Sequence, residues 1–319
     1  MAHRALRWLK RRTAAAAEQG WWLLFWLAGA LRRRLTAAGA GPQPWSTPGG
    51  QRVLVVAPHP DDEVCGCGGA LLRHLAAGDA VTLVYVTDGR RSRALGLTAE
   101  AMAARRQQEA AACAAVLGVS AWLWLGLPEW DWTVEALTPR LLALLDQVKP
   151  DVIYAPSRVD FHPEHWKTAH ALALALAQWP WHPRLRVVAL QVPLGASLTN
   201  VVSSTRAVQA QQQAAIAAHA SQVYSTARTQ RMRRYTAAAY GLPGEAEAFW
   251  EMSAARYQQL HASSPAAWPA VFRSLRYLPW TDGLAYLSGW RARQALSREH
   301  DPRDGQRHRQ ENEVTRDDI

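Results

Sequence analysis

Cysteine is scarce in this 319-residue chain, with only Cys65, Cys67 and Cys113 present. Three cysteines build no disulfide framework, and nothing about them calls for an oxidising compartment. The close pair Cys65 and Cys67, near the start of a predicted helix, reads as packing rather than as metal ligands. Long apolar runs are also missing. The run at residues 21–31 covers eleven positions, against about 20 for a spanning helix, and Glu18 and Gln19 block its extension towards residues 14–17. Acidic residues are nearly absent from the first 45 positions, where Glu18 stands alone against eight arginines and lysines. That segment therefore holds +7 of the net charge of +10. Positive charge concentrated in an arm argues against a nucleic-acid-binding domain. No internal repeat stands out. A hydrophobic content of 49% excludes a disordered chain.

What the arm does contain is tryptophan and arginine together. Trp21, Trp22 and Trp26 lie in the apolar run, with Arg4, Arg7, Lys10, Arg11 and Arg12 before it and Arg32, Arg33 and Arg34 after it. Basic flanks and clustered Trp suit a helix lying in a membrane interface. A cleaved signal peptide and a terminal helix packed on the domain are the alternatives, and the three arginines directly after the run argue against cleavage. Residues 39–50 read as a linker. The expected division is an arm and linker at 1–50, a main domain at 51–255, a helical extension at 256–296 and a disordered, charged tail at 297–319.

Within the main domain the pattern alternates. Strands are predicted at 53–57, 81–86, 121–125, 152–155 and 185–192. Helices are predicted at 64–77, 99–117, 134–148, 165–177 and 207–221, with only short helical pieces after Gly241. Alternation of this kind predicts an α/β, Rossmann-like fold with a mostly parallel sheet flanked by helices.

The most informative stretch is VLVVAPHPDDEVCGCGG at 53–69. A short β-branched run ends at two prolines, so the chain leaves the sheet there. Val64, Cys67, Leu71 and Leu75 then recur at helical spacing. One histidine and three carboxylates thus occupy a strand-to-helix turn, where open α/β sheets bind ligands. A phosphate-binding turn is glycine-rich and offers backbone N–H groups. This one offers imidazole and carboxylate, which attract a cation. His59 and Asp62 can face one ion, and their chemistry suits zinc or iron better than calcium. Helix capping by Asp61 and Asp62 is the plainer alternative.

The stretch resembles the first motif of the GlcNAc-PI de-N-acetylase (PIG-L/LmbE-like) family, A/P-H-P-D-D-E followed by a glycine pair. The resemblance runs with gaps from about Val53 to Phe249. A catalytic metal site needs a third protein ligand. Residues 160–165, DFHPEH, follow a predicted strand and resemble the family's second motif, H-P-D-H, with Glu164 in place of Asp. By position, the resemblance makes His59, Asp62 and His165 the ligands of Zn²⁺, or of another divalent metal such as Fe²⁺. It makes Asp61 the general base and His162 the stabiliser of the transition state. Asp61 neighbours a ligand without having to bind the ion, so it is free to accept a proton. Softer matches are Thr87-Asp88-Gly89, Arg106-x-x-Glu109 and His219-x-Ser221-Gln222. The family usually carries a lysine where this chain has Gln212. Asp88, Arg106 and Trp130 are candidates to line a substrate pocket, while a helix-surface pair also explains Arg106 with Glu109. His74, His170 and His182 read as structural.

The resemblance implies a zinc-dependent hydrolase that removes acetyl from an N-acetylglucosamine-type conjugate, small or lipid-linked. Apart from the resemblance, which does not cover the arm, the basic and apolar residues 1–35 predict a protein that is cytoplasmic or peripheral on the cytoplasmic face of the membrane and touches its surface through that segment. Two other classes stay open. One is a non-haem iron enzyme with a 2-His-1-carboxylate site. The other is a non-catalytic, membrane-tethered glycan-binding protein, for which a base at Asp61 has no use.

Overall fold

The computed structural model describes residues 41–157, 160, 162–188, 190, 194–196 and 198–262, with the backbone alone at 223–228. Before residue 41 it describes 12–13, 16–17, 19–20, 23–24, 26–31 and 34–35, all helical. The extension beyond 262 and the charged tail lie outside the described residues.

The strands are β1 (Gln43–Pro44), β2 (Arg52–Ala57), β3 (Ala80–Thr87), β4 (Ala121–Leu127), β5 (Val152–Ala155), β6 (Arg184–Val187), β7 (Val201–Ser204) and β8 (Ala246–Ser253). The helices are α1 (Asp62–Ala76), α2 (Ala99–Leu117), α3 (Val134–Val148), α4 (Pro163–Ala177), α5 (Gln209–Ala218), α6 (Val223–Tyr240) and α7 (Ala254–His261). One eight-stranded sheet has the order β1-β7-β8-β6-β5-β2-β3-β4. Strands β4, β3, β2, β5 and β6 are mutually parallel, and β8 runs antiparallel between β6 and β7. The fold is α/β, with helices on both faces.

Period-2 alternation in β2 builds both core layers. Val53, Val55 and Ala57 face the layer holding Val64, Leu71 and Cys113. Leu54 and Val56 face the layer of α3 and α4, with Leu141 and Leu172. A strand buried on both faces reads as a continuous apolar run, which is why this one was legible.

Strand order reverses at the β2–β5 pair, Val53 beside Val152 and Val55 beside Tyr154. Loops leaving a parallel sheet there diverge to opposite faces and leave a crevice at the carboxyl ends. The turn after β2 carries 58–63 and the loop after β5 carries 156–162. Topology therefore places the two sequence motifs side by side.

Four expectations are corrected. Residues 246–253 form a strand, not helical pieces. Glu, Ala and Met favour helix locally, but pairing on both edges of β8 overrides that preference. The strand expected at 185–192 ends at Val187. The helix expected at 207–221 is a 3₁₀ turn at Arg206–Val208, then α5, then a second 3₁₀ turn at Ala220–Gln222. The stretch read as a linker is also docked: Gln43 and Pro44 pair with Val201 and Val202, and Trp45 is buried.

Trp45 anchors a buried network beneath the sheet. Its Nε1 donates to the Tyr154 hydroxyl at 2.9 Å, which also accepts from Arg186 Nη1 at 3.0 Å. That hydroxyl lies 3.0 Å from His74 Nε2, and His74 Nδ1 lies against Asp79. The arrangement fits neutral His74, donating to Asp79 and accepting from Tyr154. Burial pushes its pKa down to about 4, with Arg186 adding to the shift and the Asp79 hydrogen bond opposing it. An unfolded histidine titrates near 6.5. Between these values the unfolded chain binds the extra proton, so stability is full above about pH 6.5 and falls as pH drops towards 4. Acidification should cost up to about 3 kcal/mol. Urea unfolding at pH 7 and pH 5 checks this, and His74→Gln should flatten the slope in that window.

Candidate active site

Asp61 breaks the usual backbone rules. Its φ of 120° and ψ of −21° are sterically costly for a residue with a Cβ. The surroundings hold it there. Its N–H donates to Glu63 Oε2 at 3.0 Å, its C=O accepts from Cys65 N at 2.9 Å, and its Oδ1 accepts from Arg106 Nη2 at 3.0 Å. Arg106 reaches Asp61 across Gly89, where any Cβ would meet the guanidinium within 2.6–2.8 Å and where φ is +63°. Burial raises the Asp61 carboxyl pKa, with Arg106 opposing and Asp62 adding.

Beside Asp61, three side chains converge. His59 Nδ1 lies 3.2 Å from Asp62 Oδ2, His165 Nε2 lies 3.3 Å from the same oxygen, and the two ring nitrogens are 3.3 Å apart. The outward nitrogen of each ring meets a carboxylate. His59 Nε2 is 2.9 Å from Glu164 Oε2, and His165 Nδ1 is 2.9 Å from Asp160 Oδ2. In the neutral rings those contacts favour the outward N–H tautomer, which leaves a lone pair on each inward nitrogen for an ion.

Electrostatics agree with the geometry. Burial works against charge on both rings, yet Asp62 and Glu164 raise the His59 pKa well above its ordinary value. Asp62 and Asp160 raise His165 to about 9. Burial likewise opposes ionisation of Asp62, but the two histidines hold its pKa well below the usual carboxylate range. The site favours positive charge where three lone pairs meet. Three ligands at about 2.0–2.1 Å from a tetrahedral ion would stand about 3.4 Å apart, so the donor set fits a small divalent metal. Three other groupings of metal-binding side chains occur among the described residues. His59, His162 and His165 share the same pocket, and there His162 Nδ1 already accepts from Glu164 N. The remaining two fit less well. Glu63, Cys113 and His219 are fully enclosed, and Glu63 is occupied by Tyr85 Oη, His219 Nε2 and the Asp61 N–H. Glu129 and Glu164 lie on the far side of His59. Glu164 Oε1 there already accepts from Trp130 N and Trp132 Nε1, at 2.6 and 2.8 Å.

An open cleft of about 250 Å³ exposes His59, Asp61, Asp62 and His165 together with His162, Arg106 and Trp130. His162 caps α4, its Nδ1 accepting from Glu164 N at 3.3 Å, and its ring centre is 4.5 Å from that of His59. Trp130 adopts φ 73° and lies 5.4 Å, ring to ring, from His162. Asp88 is placed differently. It is buried, does not line the cleft, and spends its carboxylate on Arg90 and the Glu129 N–H.

Arg106 and Glu109 are not a surface pair. Both are buried, Arg106 on Asp61 and Glu109 on the Ser221 hydroxyl at 2.6 Å and backbone N–H at 3.0 Å. Gln212 faces away from the cleft and donates to Glu247 at 2.6 Å. Sequence reading passed over Asp160, Glu164 and Glu63 as partners of the site. The usable signal was the need of every metal-facing imidazole for an acceptor on its other nitrogen.

Comparison with known proteins finds likenesses in sequence and in fold. Residues 54–177 match the family model described as GlcNAc-PI de-N-acetylase. A probable N-acetyl-alpha-D-glucosaminyl L-malate deacetylase 2 of Bacillus anthracis is 31% identical over 145 residues, covering 42% of this chain and 63% of that protein. The chain spans between about half and two thirds of the length of the curated relatives it matches. Among solved structures, the N,N'-diacetylchitobiose deacetylase of Pyrococcus horikoshii shares the fold, with TM-score 0.58, 21% identity, and coverage of 65% of this chain and 85% of that one. So does GalB, the 4-carboxy-2-hydroxymuconate hydratase of Pseudomonas putida KT2440, with TM-score 0.54, 20% identity, and coverage of 63% and 95%. A fold shared by a deacetylase and a hydratase does not by itself select a reaction.

Proposed function

From the match of residues 54–177 to the GlcNAc-PI de-N-acetylase (PIG-L) family model, we propose a metal-dependent hydrolase of that family that removes acetyl from an N-acetylglucosamine-type conjugate. The observation that carries the reading is the convergence of His59 Nδ1, Asp62 Oδ2 and His165 Nε2 within 3.2–3.3 Å, next to a strained Asp61. These three residues would hold the ion, and zinc suits them. A bound zinc supplies Lewis acidity, lowering the pKa of water and polarising a carbonyl.

The chain's own residues do the rest. Asp61, held by Arg106, accepts the proton of the attacking water. The water oxygen bonds to the acetamide carbon, and His162, at the cleft wall, donates a hydrogen bond to the oxygen that gains charge. The C–N bond then breaks, Asp61 returns its proton to the departing nitrogen, and acetate and a free amino sugar remain. Trp130 offers a ring face to the sugar. A base strained into place argues for hydrolysis over sugar binding alone. The test is acetate release from a panel of N-acetylglucosamine conjugates, before and after chelation and zinc readdition. Release that needs metal supports the reading, and an inert metal-loaded protein across the panel overturns it.

The membrane surface belongs to the same proposal. In the helical segment before residue 41, Leu23, Leu24, Trp26, Leu27, Leu31 and Leu35 are 46–78% exposed. Among the described residues of the arm Gly29 is buried, set against Ala239, where an added Cβ would come within 3.1 Å. The described part of the arm thus touches the domain through a small residue, while the large apolar side chains just named are exposed. No helix of the described residues is long and apolar enough to cross a membrane. Partial apolar insertion, plus roughly 1 kcal/mol per basic residue near an anionic leaflet, suffices for salt-sensitive attachment. The full chain should float with anionic vesicles, less so in high salt, and a chain starting at Gly41 should not. Truncation at Gly41 spares Trp45 and its bond to Tyr154.

A further inference from the structure

Helix α1 is broken at Cys67, whose φ of −146° and ψ of 17° are not helical. In an unbroken helix the Gly69 N–H would donate to the Cys65 C=O, and the Val64 and Cys65 carbonyls would accept from the next turn. Here side chains take over those groups. Glu247 of β8 accepts from Gly69 N at 2.8 Å and Ala70 N at 2.9 Å, one oxygen for each. Arg233 of α6 donates through Nη2 to the Val64 and Cys65 carbonyls, at 2.5 and 3.1 Å. The same Nη2 lies 3.5 Å from Glu247 Oε1.

The two charged residues are 2% and 3% exposed. Glu247 also accepts from the uncharged amide of Gln212. Among the described residues Arg233 is the cation within ion-pair distance of its carboxylate, and Arg73 acts on it from farther away. Backbone must come close for this to work. A Cβ on Gly69 would stand 2.5 Å from Thr205 Cγ2 and 3.2 Å from Glu247, and one on Gly68 would stand 2.9 Å from Val64 Cγ2. The glycine pair therefore makes room for the splice.

The short first segment of α1 begins with Asp62 and Glu63 and follows directly on Asp61. We propose that Arg233 and Glu247 are positioning residues for the hydrolytic site. Their buried ion pair bridges the break and fixes how that first segment is aimed, and with it the Asp62 carboxylate and the strained Asp61. The inference rests on the deacetylase reading only where turnover is concerned; its metal-binding part is independent of it.

Arg233→Met removes the carbonyl contacts. Zinc affinity, measured by competition with a chromophoric chelator, should weaken about 10-fold, as for other residues that orient ligands. The kcat for acetate release should fall with KM little changed. Adding Gln212→Lys to Arg233→Met places an ammonium beside Glu247 without reaching Val64 or Cys65. The double variant should regain thermal stability while zinc affinity and kcat stay low. Recovery of all three together would mean that the pair only stabilises the fold, and overturns the inference. Wild-type zinc affinity in folded Arg233→Met does the same. Should Arg233→Met fail to fold, Arg233→Lys keeps the charge on a side chain one bond shorter, which falls short of the two carbonyls. Weakened zinc binding at unchanged melting temperature is then expected, and unchanged zinc binding overturns the inference. A wild-type protein that releases no acetate defeats the deacetylase reading alone, because the zinc titrations still decide the role of the splice.

Discussion

Replacing Asp61 with asparagine is expected to lower kcat for acetate release by about 10²–10⁴-fold, the usual worth of a general base, while zinc content stays at the wild-type level. Asparagine keeps the shape and still presents an Oδ1 to Arg106. It also tolerates positive φ as aspartate does, so the turn should survive. What it loses is the capacity to take up a proton. Folding and metal loading are thereby separated from chemistry. Metal analysis with single-turnover kinetics on the same preparation checks the result. Near-wild-type turnover would move the proton to another acceptor and remove Asp61 from the mechanism.

The second large effect concerns the proposed ligands themselves. His59→Ala, Asp62→Ala and His165→Ala should each lose zinc and activity together, the activity falling to background. Removing one of three protein donors leaves too few to hold a catalytic ion. Asp160→Asn should do less, about 10–100-fold in zinc affinity, because it only orients His165. The control must be chosen with care. His74 is fully buried and bonded to Asp79 and Tyr154, so His74→Ala damages the fold. His182 is exposed, and His182→Ala should leave both zinc and turnover unchanged. Full zinc occupancy in all three ligand variants would dismiss the site.

Much of this was legible because the informative parts are local. The strand at β2 announces itself as an apolar run, and Pro58 and Pro60 mark its end. Helices α2 and α3 begin and end where their sequence periodicity does. Both motifs lie in strand-end turns, so alternation of strand and helix sufficed to bring them together. The parts that were not legible depend on the rest of the chain. Strand β8 is built from residues with helical preference and exists because β6 and β7 flank it. Gln43 and Pro44 look like linker and become a strand only against Val201 and Val202. Asp88 looked like a pocket residue from its place after β3, yet the Arg90 side chain claims it. Arg106 and Glu109 share a helix at a spacing that suggests a pair, and the fold sends them to Asp61 and Ser221 instead. Side-chain partners across the molecule are the one thing a local pattern cannot report.

The facing nitrogens of His59 and His165 belong to residues 106 positions apart. A ribosome adds about 5–20 residues per second, so roughly 5–20 s separate the synthesis of one from the other. Through that interval the nascent chain exposes His59 and Asp62 without their third companion, and β2 lacks β5 as its neighbour. On the proposed ligand set, an ion would be acquired late, after the loop following β5 has emerged. Incorporation would then be a test of completed topology, and a chain truncated before residue 160 should carry the first motif intact and hold no ion.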